Sequence, residues 1–539
     1  MQILLTFNCF KPMVFSEADE NDCNIKKGVR ALKIAVFAVG RFIKKHWIVF
    51  LILGLLLYLI AGALAPFMHY QSVSPEFKES FSKEKLLEPE ASPDRAMLVE
   101  TNTSAWEERI RLMDLARERI ILSTFDMRDG ESTRDLLSVL LHKADEGVSV
   151  KILVDGFSGF LRMEGKPLFY VLSSHPNVEI RIYNPIQPWF PWTTQGRMHD
   201  KYVIADDLAY ILGGRNTFDY FIGDYETDDK SFDREMLIYN TRSRINAGTL
   251  PSEGAFADDA SLDTGEGNSL MQSSLYEVEA YFNSVWNMDV CRPFHDDDAL
   301  AQKEAVKEQR RLLEERYISL KANYPKLFES WDYEAVTKPT QGVHLLSGQT
   351  GIYGKEPRVF YMLSELMASA KDRVIIHTPY AVCNEYMYET LTELCRQVPE
   401  VTMMVNSVAN GDNLVASSDY LKNKKHIVET GLNIYEYDGG NSYHGKSIVI
   451  DDHISIVGSY NLDLRSTYMD TELMLVVKSE PITEELTGYM EAMHKDCRRV
   501  INASEYETPQ HLEIADIPFG KKVVFRLLGV LLAPFRCVI

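Results

Sequence analysis

His199-x-Lys201-x4-Asp206-x6-Gly213-Gly214-x-Asn216 and His444-x-Lys446-x4-Asp451-x6-Gly458-Ser459-x-Asn461 are one pattern written twice, 245 positions apart. A lone His-x-Lys is common and carries no weight; the full pattern at fixed spacing, twice, does. Each copy brings an imidazole, an ammonium and an amide, a set suited to phosphodiester chemistry without a metal. Charge developing on the phosphoryl oxygens must be neutralised, which two lysines and two asparagines can do. A neutral imidazole can attack phosphorus, and a protonated one can give its proton to the departing oxygen. Two histidines held in different protonation states match that division of labour. A carboxylate on the far ring nitrogen would fix each tautomer. The candidates are Glu235, in Asp233-Arg-Glu235, and Glu472, in Asp470-Thr-Glu472, which lie 36 and 28 positions after their histidines. The extra eight positions fit an insertion around 222–230.

The elements that must position these groups repeat as well. Read as a strand, 198–206 alternates so that His199, Lys201 and Val203 share one face, and His444, Lys446 and Ile448 do the same. Asp206-Asp207 and Asp451-Asp452 form turns, and 210–212 and 454–457 return as the next strands. Upstream, each half offers a helix-like run (105–116, 358–370), a strand (118–126, 372–381), a second helix (133–146, 386–397) and two further strands (148–154 and 178–183; 401–405 and 432–437). Strands alternating with helices imply parallel-rich sheets covered by helices, and the shared order is the mark of an internal duplication. Residues 245–268 read as a loop, 273–286 as an amphipathic helix, and 298–322 as a long charged helix opened by Asp296, Asp297 and Asp298. The expected organisation is a basic segment 1–46, an apolar helix 47–67, a stalk 68–92, a first domain 93–295, a helical linker 296–340, a second domain 341–517 and an amphipathic tail 518–539.

The paired motifs resemble the phospholipase D superfamily, whose mark is the duplicated HKD motif. Over 92–517 the layout is similar to the bacterial cardiolipin synthase branch, with Arg197-Met198-His199 opening the first motif. The resemblance implies two pseudo-symmetric α/β domains, mixed sheets flanked by helices, sharing one active site. It implies that one histidine forms a phosphohistidine with the phosphatidyl group while the other acts as acid and then base, with no metal and no cofactor. Carried over, His199 is the nucleophile and His444 the acid, although the residues themselves are symmetric on this point. Lys201, Asn216, Lys446, Ser459 and Asn461 would bind the substrate phosphate, Asp206 and Asp451 complete the catalytic motifs, and Glu235 and Glu472 orient the histidines. Gly214 in place of Ser459 would remove one hydroxyl contact to phosphate. The implied substrates are phospholipids, phosphatidylglycerol and phosphatidylethanolamine among them; the acceptor is either an alcohol, giving a new phospholipid, or water, giving phosphatidic acid.

The formal net charge is −21 across 539 residues. Polyanion binding needs a positive face, so nucleic acid is not an expected partner, and a membrane-anchored nuclease on the same fold is the weaker alternative. A catalytically dead scaffold would have lost a motif histidine or lysine, and both sets are intact. Seven cysteines at 9, 23, 291, 383, 395, 497 and 537 include no CxxC, which argues against a metal cluster or a disulfide framework.

Residues 48–65 are without charge and long enough to cross a bilayer, with Trp47 at one edge and Pro66 at the other. Eight Lys or Arg precede this run, against Lys78, Lys83 and Lys85 shortly after it, so the positive-inside rule puts the N-terminus in the cytoplasm and the bulk of the chain outside. Residues 28–41 read as an interfacial helix, and 521–539 as either an interfacial helix or a terminal helix packed on the domain. Trp189, Phe190 and Trp192 either dip into the membrane interface or fill a buried corner.

Overall fold

Short runs of branched aliphatic residues, bounded by polar turns, build the sheets. The computed structural model describes residues 30, 37, 41, 42, 44–89, 91–244, 272–513 and 519–539. Ten strands come from the first part of the chain: β1 (Asp94–Val99), β2 (Arg119–Thr124), β3 (Ser149–Asp155), β4 (Val178–Tyr183), β5 (Tyr202–Ala205), β6 (Ala209–Gly213), β7 (Ser231–Phe232), β8 (Glu235–Asn240), β9 (Cys291–Pro293) and β10 (Lys338–Pro339). Ten follow: β11 (Val343–Ser347), β12 (Arg373–His377), β13 (Glu400–Asn406), β14 (Asn433–Tyr437), β15 (Ser442–Tyr443), β16 (Lys446–Ile450), β17 (Ile454–Gly458), β18 (Leu473–Lys478), β19 (Cys497–Val500) and β20 (Tyr506–Glu507).

The sheet orders are β10-β1-β8-β6-β5-β2-β3-β4-β9 and β11-β18-β17-β16-β12-β13-β14-β19-β20. Eight strands of one correspond in order to eight of the other, so the duplication extends to sheet topology. Only β2-β3-β4 and β12-β13-β14 run parallel within these sheets. The remaining pairings are antiparallel, including those of the motif strands β5 with β2 and β6, and β16 with β12 and β17. The sheets are therefore mixed rather than parallel-rich, because the chain returns by tight turns after each motif.

Helices Asn102–Leu115 and Glu131–Asp145 cover the outer face of the first sheet, and Arg358–Met367, Glu385–Gln397 and Leu414–Glu429 cover the second. The inner faces meet in one interior core. Ile204, Leu212 and Ile238 from one sheet join Val449, Val457 and Leu475 from the other, with helices Leu275–Trp286 and Glu480–His494 packed among them.

Several expectations are corrected. The charged helix runs Glu304–Asn323, after a separate 3-10 turn at Asp298–Gln302. It is part of the first half's outer layer rather than a free linker: Val306, Leu313 and Tyr317 enter that core, and Arg316 pairs with Asp135 and Glu131. The expected stalk contains helices Pro75–Ser80 and Lys83–Leu87. These pack on the second half through Phe77 and Phe81 against Tyr361, with Ser74 donating to Glu356. The tail forms helix Phe519–Leu531, which packs along Leu414–Glu429. Gly529 allows that approach, since a Cβ there would come within 2.9 Å of the Ser418 carbonyl. Phe525 is buried, Arg536 pairs with Asp419, and Phe519, Leu527, Val530 and Leu531 remain exposed. The expected loop at 245–268 and most of the expected helix at 28–41 lie outside the described residues. Residues up to Ala61 form one unit and Gly62–Ile539 a second. Helix Trp47–Leu64 belongs to an apolar stretch reaching Phe67 that is long and apolar enough to cross a membrane.

Candidate active site

Each motif strand starts later or is entered differently than alternation predicts. β5 begins at Tyr202, not at Met198, because the backbone just before it pairs with the opposite half. His199 N–H donates to the Thr471 carbonyl and Thr471 N–H to the Arg197 carbonyl, at 3.3 and 2.9 Å. The second motif mirrors this: β15 pairs in parallel with β7, and His444 N–H donates to the Phe232 carbonyl at 2.6 Å. Each histidine is thereby delivered next to the acidic segment of the other half.

The consequence is a crossed pair of imidazole–carboxylate bonds. His199 Nδ1 lies 2.9 Å from Glu472 Oε1, and His444 Nδ1 lies 2.8 Å from Asp233 Oδ2. A carboxylate on Nδ1 holds the proton there and leaves Nε2 with its lone pair. Lys446 Nζ is also 2.6 Å from His444 Nδ1. A protonated Nδ1 cannot accept, so the bond to Asp233 is the one that fixes the ring. Both lysine ammoniums donate to the carbonyl oxygen of their own histidine.

Glu472 thus faces a histidine, but not the one in its own half. Glu235 does not face a histidine at all. Its carboxylate accepts from Arg109 at 2.6 and 2.7 Å and lies 3.3 Å from Arg215. Asp233, two positions earlier, takes the orienting place. The cause is visible at Gly214: a Cβ there would stand 2.5 Å from the Asp233 carboxylate, so the glycine makes room for it. In the other half, the position of Gly214 is held by Ser459, whose hydroxyl donates to Glu472 Oε2 while accepting from the Leu473 N–H. Ser459 therefore braces the Glu472 carboxylate instead of standing open to a phosphate, and Gly214 reflects space for Asp233, not a lost phosphate contact.

Asp206 and Asp451 are also set back from the histidines. Both adopt left-handed backbone, φ 53° and 49°. Asp206 accepts from the N–H groups of Arg117, Glu118 and Arg119 at 2.7–2.9 Å, and Asp451 from those of Lys371, Asp372 and Arg373 at 2.9–3.1 Å. They tie the turn after each motif strand to the start of β2 or β12. Asn216 and Asn461 are buried beside the site. The Asn216 Oδ1 accepts from the Asp126 N–H at 3.2 Å, while the Asn461 Oδ1 has no hydrogen-bond partner.

Electrostatics separate the two corners. Burial pushes His199 well below the ordinary histidine value, and the charges of Lys201 and Lys446 push the same way. His444 is lowered by burial and Lys446 but is opposed by Asp233. Burial raises Glu472 to about 8 against the pull of Lys201. Burial would raise Asp233 too, yet Lys446 and His444 hold it well below the usual carboxylate range. Lys201 is brought down to about 7 by burial, and burial lowers Lys446 as well.

A cavity of about 960 Å³ opens onto His444, Asn216 and Phe125. The Phe125 ring packs edge-on against His199 at 5.3 Å, and Phe221 packs against His444 at 5.1 Å. The cavity rim is acidic: Asp126, Asp129, Asp219, Asp229, Asp412 and Glu513 outnumber Arg128 and Lys230. Sequence reasoning missed Phe125, Phe221 and Asp412, which have no signal of spacing. Trp189, Phe190 and Trp192 are all surface-exposed, so the buried-corner alternative for them falls. Four of the five described cysteines, Cys291, Cys383, Cys497 and Cys537, are buried, and all five are free.

The description "Cardiolipin synthase, PLD-like domain" matches residues 110–227 and 363–494, one segment in each half. An uncharacterized protein of Helicobacter pylori is 23% identical over 401 residues, covering 70% of this chain and 74% of that one. Cardiolipin synthase C of Escherichia coli is 24% identical over 433 residues, covering 72% of this chain and 82% of that one. The crystal structure of phosphatidylserine synthase from Haemophilus influenzae superposes with a TM-score of 0.57 at 15% identity, over 86% of this chain and all of that one, and shares the fold. With the duplicated sheet, the paired motifs and these matches together, each half of the chain carries a PLD-like domain of the cardiolipin synthase description, and the chain is similar to bacterial cardiolipin synthases.

Proposed function

We propose that this protein is a phosphatidyltransferase of cardiolipin synthase type, working through a phosphohistidine. The observation that carries the reading is the crossed pairing of two histidines with carboxylates of opposite halves, each histidine with its own lysine. His199, held neutral by burial and two neighbouring ammoniums, attacks the donor phosphorus through Nε2. The bond from phosphorus to the headgroup oxygen breaks, and the protonated Nε2 of His444 gives that oxygen its proton. The ionised Asp233 favours the imidazolium this role needs. In the second step an acceptor hydroxyl passes its proton to His444 and attacks phosphorus, and the P–N bond breaks. Lys201, Lys446, Asn216 and Asn461 supply the charge and donors that a metal supplies elsewhere.

Lipid substrates are favoured over nucleic acid by the acidic rim, which repels a polyanion while a single phosphodiester can reach His444 and Asn216 at the cavity wall. We further propose that 47–67 anchors the chain in the membrane with the N-terminus cytoplasmic and the two halves outside, as the lysine and arginine asymmetry favours.

The test is lipid mass spectrometry on purified protein in mixed micelles, with phosphatidylglycerol alone and then with phosphatidylethanolamine, and His199→Ala as control. New cardiolipin absent in the variant supports the transferase. Phosphatidic acid alone assigns water as the acceptor and makes the protein a phospholipase D. No change in either mixture overturns the lipid reading, and single-stranded oligonucleotides are then the substrates to try.

A further inference from the structure

A second cavity, of about 590 Å³, lies away from the His444 opening and has the opposite character. Its wall includes Lys355 and Arg358 and no carboxylate, in a chain of net charge −21. The segment between β11 and helix Arg358–Met367 reads Gly348-Gln-Thr-Gly351-Ile-Tyr-Gly354-Lys355, and most of it lines the cavity. Gly351 has φ +113°, a conformation that an L side chain resists. Lys355 is 5% exposed, and its Nζ has no hydrogen-bond partner. A buried ammonium without a hydrogen-bond partner is costly. Asp470, Asp200 and Glu472 act on it by charge, without a hydrogen bond. Arg358 at the wall is shared with Glu356 at 3.1 Å. Around them Ser347, Gln349 and Thr350 offer neutral donors.

The loop also touches the residues that directly follow the apolar run. A Cβ on Gly354 would lie 3.5 Å from the Pro66 carbonyl, and the Gln71 amide donates to the Gly354 carbonyl at 2.7 Å. A group held in this cavity would therefore sit close to where the chain leaves its apolar stretch.

We propose that this cavity is a second anion site, which takes the phosphate group of a phospholipid headgroup or of a soluble phosphate ester through Lys355 and the donors of the glycine-rich loop. The proposal does not rest on the transfer chemistry, although Lys355 is linked by charge to Glu472, the carboxylate that holds His199.

The experiment is isothermal titration of the full chain in detergent micelles with inorganic phosphate, then with dihexanoyl phosphatidylglycerol. Lys446→Met, which disables the catalytic anion site, isolates the second one. The expected result is one phosphate equivalent remaining in Lys446→Met, weakened at least tenfold when Lys355→Met or Thr350→Glu is added. Thr350 is exposed at the wall, so Thr350→Glu repels an anion without touching the buried acids around Lys355, and it stays informative if Lys355→Met fails to fold. Dihexanoyl phosphatidylglycerol binding tenfold tighter than phosphate assigns the lipid source, and equal affinities assign a soluble ester. Loss of all binding in Lys446→Met alone, or binding there that neither added variant weakens, overturns the proposal.

Discussion

At one corner of the site a glutamate braced by a serine holds His199; at the other an aspartate, fitted beside a glycine, holds His444. The scaffold around them is a near-repeat, strand for strand, yet the charges differ. Burial raises Glu472 to about 8 and so weakens its hold on a negative charge, while Lys446 and His444 keep Asp233 well below the usual carboxylate range. An imidazolium is favoured more next to the carboxylate that keeps its charge than next to the one that holds it weakly. A symmetric fold can thus divide acid from nucleophile by changing the length of one carboxylate side chain and the residue packed on it.

The strongest way to break the comparison is to remove either imidazole. His199→Ala and His444→Ala should each lower turnover by about a thousand-fold or more while circular dichroism is unchanged. With a donor carrying a good leaving group the two should part. His444→Ala should still form the covalent intermediate and release it slowly, and His199→Ala should form none, as read by labelled lipid retained on denatured protein.

The carboxylates come next. Asp233→Asn should cost about a hundred-fold in kcat/KM, Glu472→Gln about ten-fold, both within the usual range for support of a general acid or base. Removing the Asp233 charge destabilises the His444 imidazolium, so the basic limb of the pH–rate profile should move to lower pH. Glu472→Gln, which replaces a group with a weaker hold on its charge, should leave that limb in place. Equal shifts in both variants would erase the distinction between the corners.

Packing variants sharpen the point. Gly214→Ala forces a Cβ against Asp233 and should reproduce much of the Asp233→Asn defect, about ten-fold or more. Ser459→Ala should cost only a few-fold, about the effect of one neutral hydrogen bond. The smallest catalytic effect is expected at Asp206 and Asp451. Asp206→Ala and Asp451→Ala should leave pH dependence unchanged and lower stability, by about 1–3 kcal/mol each in denaturant titration, as backbone N–H groups lose their acceptor.

Much of this was readable in the chain. The paired motifs and the repeated order of elements follow from spacing and periodicity, which read the sheets as parallel-rich; that they are mixed came only with the family resemblance. The roles of Glu235 and Asp233 do not follow from spacing, because the shared Asp-x-Glu spelling sets Glu235 beside Glu472, whereas the strand register pairs Gly213 with Glu235 and Gly458 with Met474 and so makes Asp233 the counterpart of Glu472. The backbone ladders that join Arg197–His199 to Thr471, and β15 to β7, link residues more than 200 positions apart, and local pattern holds no trace of them. The place of Ser459 is hidden for a related reason: its hydroxyl is taken by Glu472, a fact of side-chain direction. The stalk looked polar because the few apolar residues that dock it, Phe77 and Phe81, are spaced too widely to mark a helix face.

The most direct test of the central claim is to trap the intermediate with a phosphatidyl donor of good leaving group in His444→Ala, quench in base where phosphohistidine survives, and map the adduct by peptide mass spectrometry. The account predicts phosphorus on His199 and none in the His199→Ala control. An adduct on another residue, or turnover with no adduct and strict dependence on a metal ion, would contradict it.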